Sequence, residues 1–145
     1  ADLVKHAVRL VEADAQKNAV AIDIQAPAAF PAVDVDPDKI KQVLLNILLN
    51  ALAAMPGGGR LAIEMISHKD AVSVIIADTG EGIAEENLPR IYDPYFTSKP
   101  SGTGLGLAVV QKIMNAHGGV VEIESKPKAG TKVTLRFFIT DTRKV

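Results

Sequence analysis

Two pairs of short aliphatic runs, each folded on itself by a polar turn, set the frame for this chain. Leu61 to Ser67 and Ala71 to Ala77 flank His68-Lys69-Asp70, while Val120 to Ser125 and Lys132 to Ile139 flank Lys126-Pro127-Lys128-Ala129-Gly130. Runs of this kind, rich in Val and Ile and bounded by turn residues, read as β-hairpins. Val20 to Ile24 alternates Val-Ala-Ile-Asp-Ile and reads as one further strand. Segments of helical period lie between the strands. Leu3, Val4, Ala7, Val8 and Val11 place a helix over about Asp2 to Gln16. Asp36-Pro37 starts a second, because Asp caps the first turn and Pro fits its first position. That helix runs to about Met55, where Pro56-Gly57-Gly58-Gly59 stops it. A third, from about Gly104 to Ala116, ends at His117-Gly118-Gly119, with His117 reading as a C-cap that suits the helix dipole.

The order helix, strand, helix, hairpin, loop, helix, hairpin specifies an α/β two-layer sandwich. Its sheet is mixed and mostly antiparallel, and helices cover one face. At 145 residues the chain has the size of a single domain, residues 1–145, large enough to bury a core. Aromatic residues make up only 4% of it, so that core is aliphatic. The absence of cysteine excludes disulfides and thiolate metal sites. A formal net charge of -1 argues against a nucleic-acid surface built on bulk positive charge. No apolar run reaches the roughly 20 residues a membrane span needs. The chain opens with Ala1 inside a helical pattern, and we expect it to be a fragment of a larger protein.

Four groups of residues carry chemistry. On the second helix Ile40, Val43, Leu44, Ile47, Leu48 and Ala51 are apolar, yet Gln42, Asn46 and Asn50 recur at i, i+4, i+8 along one stripe. Amides on a largely buried helix need partners. One use is to tie the helix to neighbouring backbone; another is to offer carbonyl oxygens to Mg²⁺, which keeps waters and completes its shell with phosphates. Asp78-Thr79-Gly80-Glu81-Gly82-Ile83 begins where a strand ends. It is either an ordinary Asp/Gly turn or a carboxylate placed to accept from an exocyclic amine, with glycines that let a flat ring approach the backbone.

Ile91-Tyr92-Asp93-Pro94-Tyr95-Phe96-Thr97-Ser98-Lys99 gathers half of the chain's Phe and Tyr residues in a polar loop. That suggests a hydrophobic latch for a lid, with Lys99 as a cation near phosphates. Gly102-Thr103-Gly104-Leu105-Gly106-Leu107 then opens a helix, and glycines there expose backbone N–H groups to an anion. It is neither a Walker A loop, lacking Gly-Lys-Ser/Thr, nor a dinucleotide fingerprint, since the spacing differs and no strand precedes it. The stretch from Asp78 to Gly104 is long for a loop inside a compact domain, which marks it as functional.

Taken in this order, the groups resemble the asparagine box, first glycine box, phenylalanine box and second glycine box of the sensor histidine kinase ATP-binding catalytic domain, in the GHKL superfamily. Gly130-Thr131 resembles a further glycine box. The resemblance covers about Asp36 to Phe138. It implies that the chain binds Mg-ATP and donates the γ-phosphate to a histidine on a separate dimerisation domain of the same protein, with ADP as product. By it, Asn50 and Asn46 are the metal-side ligands and, with Lys99, the catalytic groups. Asp78 accepts from the adenine amine, Gly80 and Gly82 line the base, and Ile83 and Thr131 are further nucleotide-binding residues. Tyr92, Phe96 and Thr97 belong to the lid side. Gly102, Thr103, Gly104, Leu105, Gly106 and Leu107 hold the phosphates.

Ala53-Ala54-Met55 stand where many relatives carry a basic residue after the second asparagine. The nitrogen-regulation-like branch shares this feature and has a similar Thr-Ser/Thr-Lys box, so Lys99 is expected to supply the charge. His6 lacks the acidic neighbour of a phosphoacceptor and is read as a surface or packing residue. The chain is therefore expected to lack the acceptor domain, to have no autokinase activity alone and to be monomeric. A response regulator receiver domain is the indirect partner, and no nucleic acid is expected. The resemblance implies a cytoplasmic domain, whose parent protein in most relatives is anchored in the inner membrane. Two alternatives stay open: a gyrase-, chaperone- or mismatch-repair-type ATPase or an anti-sigma-type serine kinase, and a nucleotide-binding module without transfer activity. The ATPases use a glutamate where Asn46 stands.

Overall fold

The computed structural model describes residues 2–27, 35–80, 82 and 106–139. Three helices and five strands follow in the order α1 (Asp2–Lys17), β1 (Val20–Gln25), α2 (Pro37–Ala53), β2 (Gly59–Ser67), β3 (Ala71–Asp78), α3 (Gly106–Ala116), β4 (Val120–Lys126) and β5 (Gly130–Phe138). The strands form one sheet in the order β1-β2-β3-β5-β4. β1 pairs parallel with β2, and every other pair is antiparallel. The α/β sandwich with a mostly antiparallel sheet is as expected from the sequence.

Strand alternation decides which face is buried. Leu61, Ile63 and Met65 of β2, Val72, Val74 and Ile76 of β3, and Val133, Leu135 and Phe137 of β5 all point into one aliphatic core. The inner faces of the helices meet them: Val4, Ala7, Val8 and Val11 from α1, Val110, Ile113 and Met114 from α3. α2 lies between the other two helices and touches both. Its seven buried residues, Ile40 to Leu52, make it the most enclosed helix of the three. Among the described residues no helix is long and apolar enough to cross a membrane.

The helix ends obey local chemistry. Asp36 caps α2, its Oδ1 accepting from Asp38 N at 3.1 Å and Lys39 N at 3.3 Å, with Pro37 in the first turn. α2 ends at Ala53, slightly before the expected Met55, because Ala54 is the C-cap and Met55 N already turns back to Leu52 O at 3.1 Å. At the end of α3, Gly119 N reaches Met114 O at 2.9 Å and Gly118 N reaches Asn115 O at 3.0 Å, around Gly118 at φ +67°. These paired bonds are a Schellman motif, which is what the His-Gly-Gly signature foretells. His117 is its C-cap, and its Nδ1 lies 2.8 Å from Ile113 O. His68 sits in the β2–β3 turn, where its backbone N–H donates to Ala71 O at 2.8 Å and its Nε2 lies 3.1 Å from the hydroxyl of buried Ser73.

Candidate functional site

Asp78 closes β3, and its carboxylate is held by the chain on both sides. Oδ1 accepts from Gly80 N at 2.9 Å, an Asx-type turn. The same oxygen accepts from Thr131 N at 3.2 Å, a bond that crosses from β5, where Thr131 is the register partner of Asp78. The sequence set Thr131 just ahead of the last strand; it lies within β5, which starts at Gly130.

A third polar residue continues this row. Ser125 of β4 pairs in register with Thr131, its Oγ 2.9 Å from Thr131 Oγ1 and 3.0 Å from the Gly130 carbonyl. One step further along the same face, the equivalent row is Ile76, Val133 and Ile123, all packed in or against the core. The sheet therefore changes from aliphatic to polar at one end of its helix-facing side. Sequence reasoning did not single out Ser125. Its signal was parity: it follows Val121 and Ile123 on the half-buried alternation of β4.

The glycines after Asp78 first of all let protein approach protein. A Cβ on Gly80 would stand 2.6 Å from the Ala54 carbonyl oxygen and 2.9 Å from the Ala54 Cβ, so the turn is pressed on the C-cap of α2. Gly82 has φ +73°, and a Cβ there would run into the carbonyl of Lys126, with Pro127 beside it, in the β4–β5 turn. Thr79, between Asp78 and Gly80, fastens the turn to β2. Its backbone N–H donates to Arg60 O at 3.2 Å, and its Oγ1 accepts from Arg60 N at 3.0 Å. The same hydroxyl reaches the Sδ of buried Met55 at 3.7 Å.

These contacts bring the carboxylate turn against the end of the amide-bearing helix. Asn50 lies one turn before Ala54, whose N–H donates to the Asn50 carbonyl at 3.1 Å. Asn46 and Asn50 are half-buried, whereas Gln42, at the other end of the stripe, is exposed. Two half-buried asparagines one turn apart on the same stripe carry amide oxygens of the kind that suits a hard divalent cation keeping part of its shell for water and phosphate. The chemistry of the donors therefore fits Mg²⁺ bound together with a polyphosphate. A carboxylate accepts only, when ionised, and so suits an exocyclic amine.

Gly106 begins α3 and half-buried Leu107 follows it. Ile83, Tyr92, Phe96, Thr97, Lys99, Gly102, Thr103, Gly104 and Leu105 lie outside the described residues, as does most of the expected loop from Asp78 to Gly104. His6 is exposed on α1.

The described geometry has clear counterparts. A family profile described as histidine kinase-, DNA gyrase B-, and HSP90-like ATPase matches residues 35–141. The chain is similar to the sensor histidine kinase ZraS of Escherichia coli strain K12, with 38% identity over 142 residues, or 98% of this chain. It spans 30% of the length of ZraS. The catalytic domain of histidine kinase ThkA, in a nucleotide-free form, superposes with a TM-score of 0.86 at 29% identity, covering 97% of this chain and 94% of that one. ThkA in complex with the response regulator protein TrrA superposes with a TM-score of 0.81 at 27% identity, over 96% of this chain and 40% of that one.

Proposed function

The chain belongs to the histidine kinase-, DNA gyrase B- and HSP90-like ATPase family, and we propose that it is the part of a sensor histidine kinase that binds Mg-ATP and passes the γ-phosphate to a histidine on a separate dimerisation domain. The observation that carries this reading is the joining of Asp78 to the last turns of α2 through Gly80 and Ala54. One end of the pocket offers an acceptor to the adenine amine, and the other offers amide oxygens to the metal and phosphates.

In this reading Asp78 orients the base, and Thr131 stands beside it. Asn46 and Asn50 would hold Mg²⁺, which would neutralise charge on the phosphates when bound. Lys99 is expected to add a cation near the phosphates, and Gly102, Thr103, Gly104, Leu105, Gly106 and Leu107 to hold the phosphates, with Ile83, Tyr92, Phe96 and Thr97 as further nucleotide-binding residues. Phosphoryl transfer asks the protein mainly for position and charge neutralisation. A histidine nitrogen bonds to the γ-phosphorus as the bond to the bridging oxygen breaks, ADP leaves with that electron pair, and the histidine proton passes to a base beside it. ATP affinity is expected near the micromolar range, about -8 kcal/mol. A response regulator receiver domain is the expected next acceptor, supported by the ThkA–TrrA pairing.

Hydrolysis as the main activity would need a general base to activate water. The only acidic residue of α2 is Asp38, in its first turn, far along the helix from Asn50, and Asn46 stands where the ATPases place glutamate. Mixing the chain with a separately expressed dimerisation domain and γ-labelled ATP tests the proposal. Acid-labile, alkali-stable label on the histidine of that domain supports it; release of inorganic phosphate alone contradicts it.

A further inference from the structure

Ser125 holds no place in the mechanism above, yet it ends the polar row that begins at Asp78. Its hydroxyl carries one proton, and the Gly130 carbonyl, 3.0 Å away, can only accept. The Ser125 proton is therefore committed to Gly130. The contact of 2.9 Å between Ser125 Oγ and Thr131 Oγ1 must then be a bond in which Thr131 donates. With its one proton so placed, Thr131 keeps only acceptor capacity on Oγ1. Its backbone N–H is also engaged, donating to Asp78 Oδ1 at 3.2 Å. Two side chains adjacent in register, Asp78 and Thr131, thus offer acceptors from the same end of the sheet.

We propose that Ser125 is a specificity-determining positioning residue: by fixing the proton of Thr131 it makes the base site favour 6-amino purines over 6-oxo purines. The inference rests on the base binding at Asp78. An amine at position six donates and meets two acceptors. A carbonyl there would meet two acceptors as well and find no donor, which costs more than a missing bond because the polar groups are left facing each other. Without Ser125, the Thr131 hydroxyl is free to rotate and donate to a 6-oxo group. Ser125 acts through Thr131 and need not touch the nucleotide. A serine that only closes the β4–β5 turn would instead affect folding stability and leave the choice of base alone.

Calorimetry of the chain with ATP and with inosine triphosphate separates these roles, because the two differ at position six. The wild-type chain is expected to prefer ATP. Ser125→Ala should lower the ATP-to-ITP affinity ratio about three- to ten-fold, the worth of one hydrogen bond. Ser125→Thr, which keeps the hydroxyl, should restore it. Ser125→Cys, close in volume but a weak acceptor of the Thr131 proton and a weak donor to Gly130, should behave as Ser125→Ala and serves if the alanine variant does not fold. In a Thr131→Val background, Ser125→Ala should move the ratio no further. An unchanged ratio in the alanine and cysteine variants, with or without a lower melting temperature, overturns the role of Ser125 while leaving ATP binding intact. A wild-type chain that binds neither nucleotide, or binds both alike, overturns it too; failure to bind ATP at all also removes the reading it rests on.

Discussion

His117, the C-cap of α3, and Asp36, the N-cap of α2, are joined by a hydrogen bond of 3.1 Å from Asp36 N to His117 Nε2. A backbone N–H can only donate, so Nε2 is the unprotonated nitrogen and Nδ1 carries the proton to Ile113 O at 2.8 Å. The neutral ring thus ties the C-terminus of α3 to the N-cap of α2. His117→Ala should lower stability by about 0.5–1.5 kcal/mol, the net worth of an ordinary hydrogen bond, since the Asp36 N–H is exposed to water and Ile113 O still accepts from the backbone N–H of residue 117. Urea denaturation followed by circular dichroism measures this; a variant with the wild-type midpoint would show the bridge to be idle.

Thr79 is expected to serve the fold more than the ligand. Its hydroxyl accepts from Arg60 N at 3.0 Å and touches Met55 Sδ at 3.7 Å. Thr79→Val keeps the shape and removes the oxygen, and should cost about 1 kcal/mol of unfolding free energy with little change in ATP affinity. The same denaturation experiment, paired with calorimetry, checks both halves. A large loss of affinity with full stability would give Thr79 a ligand role instead.

Gly80→Ala should damage both properties at once. The new Cβ falls 2.6 Å from the Ala54 carbonyl oxygen, backbone that cannot simply rotate away. The turn must lift off the C-cap of α2, at a cost of about 1–3 kcal/mol, and Asp78 moves away from Asn50 with it. A melting temperature and an ATP affinity equal to wild type would show that the turn does not depend on this contact.

Asn50→Ala should remove the metal-dependent part of nucleotide binding. Calorimetry with ATP in Mg²⁺ and in EDTA gives two affinities for each protein. In the wild type the Mg²⁺ value should be tighter; in the variant the two should converge, with the EDTA value nearly unchanged. A variant that keeps the full Mg²⁺ increment contradicts Asn50 as a metal-side ligand.

Local chemistry made much of this structure legible in the sequence. Asp36-Pro37 gave the start of α2 and His117-Gly118-Gly119 the end of α3, because caps depend on residues within one turn. Alternation gave the strands to within a few residues. The parts that stayed hidden depend on register. The hairpin turn sets Ser125 across from Thr131, but nothing local shows that Thr131 stands across from Asp78, since that pairing joins strands far apart in the chain. The glycines of the Asp78 turn were read as clearance for a flat ring, while Gly80 proves to be needed against Ala54. That contact could be seen only after α2 and β3 were packed together.

The claim on which the rest depends is that the Asp78 carboxylate receives the base, and Asp78→Asn tests it. The asparagine oxygen can go on accepting from Gly80 N and Thr131 N, as Oδ1 does now. An amide nitrogen then stands where the second carboxylate oxygen stood, and opposes the donors of the adenine amine. Calorimetric titration with ATP in Mg²⁺ should show the affinity falling by about 100-fold or more. An Asp78→Asn chain that binds ATP as tightly as the wild type would contradict the account.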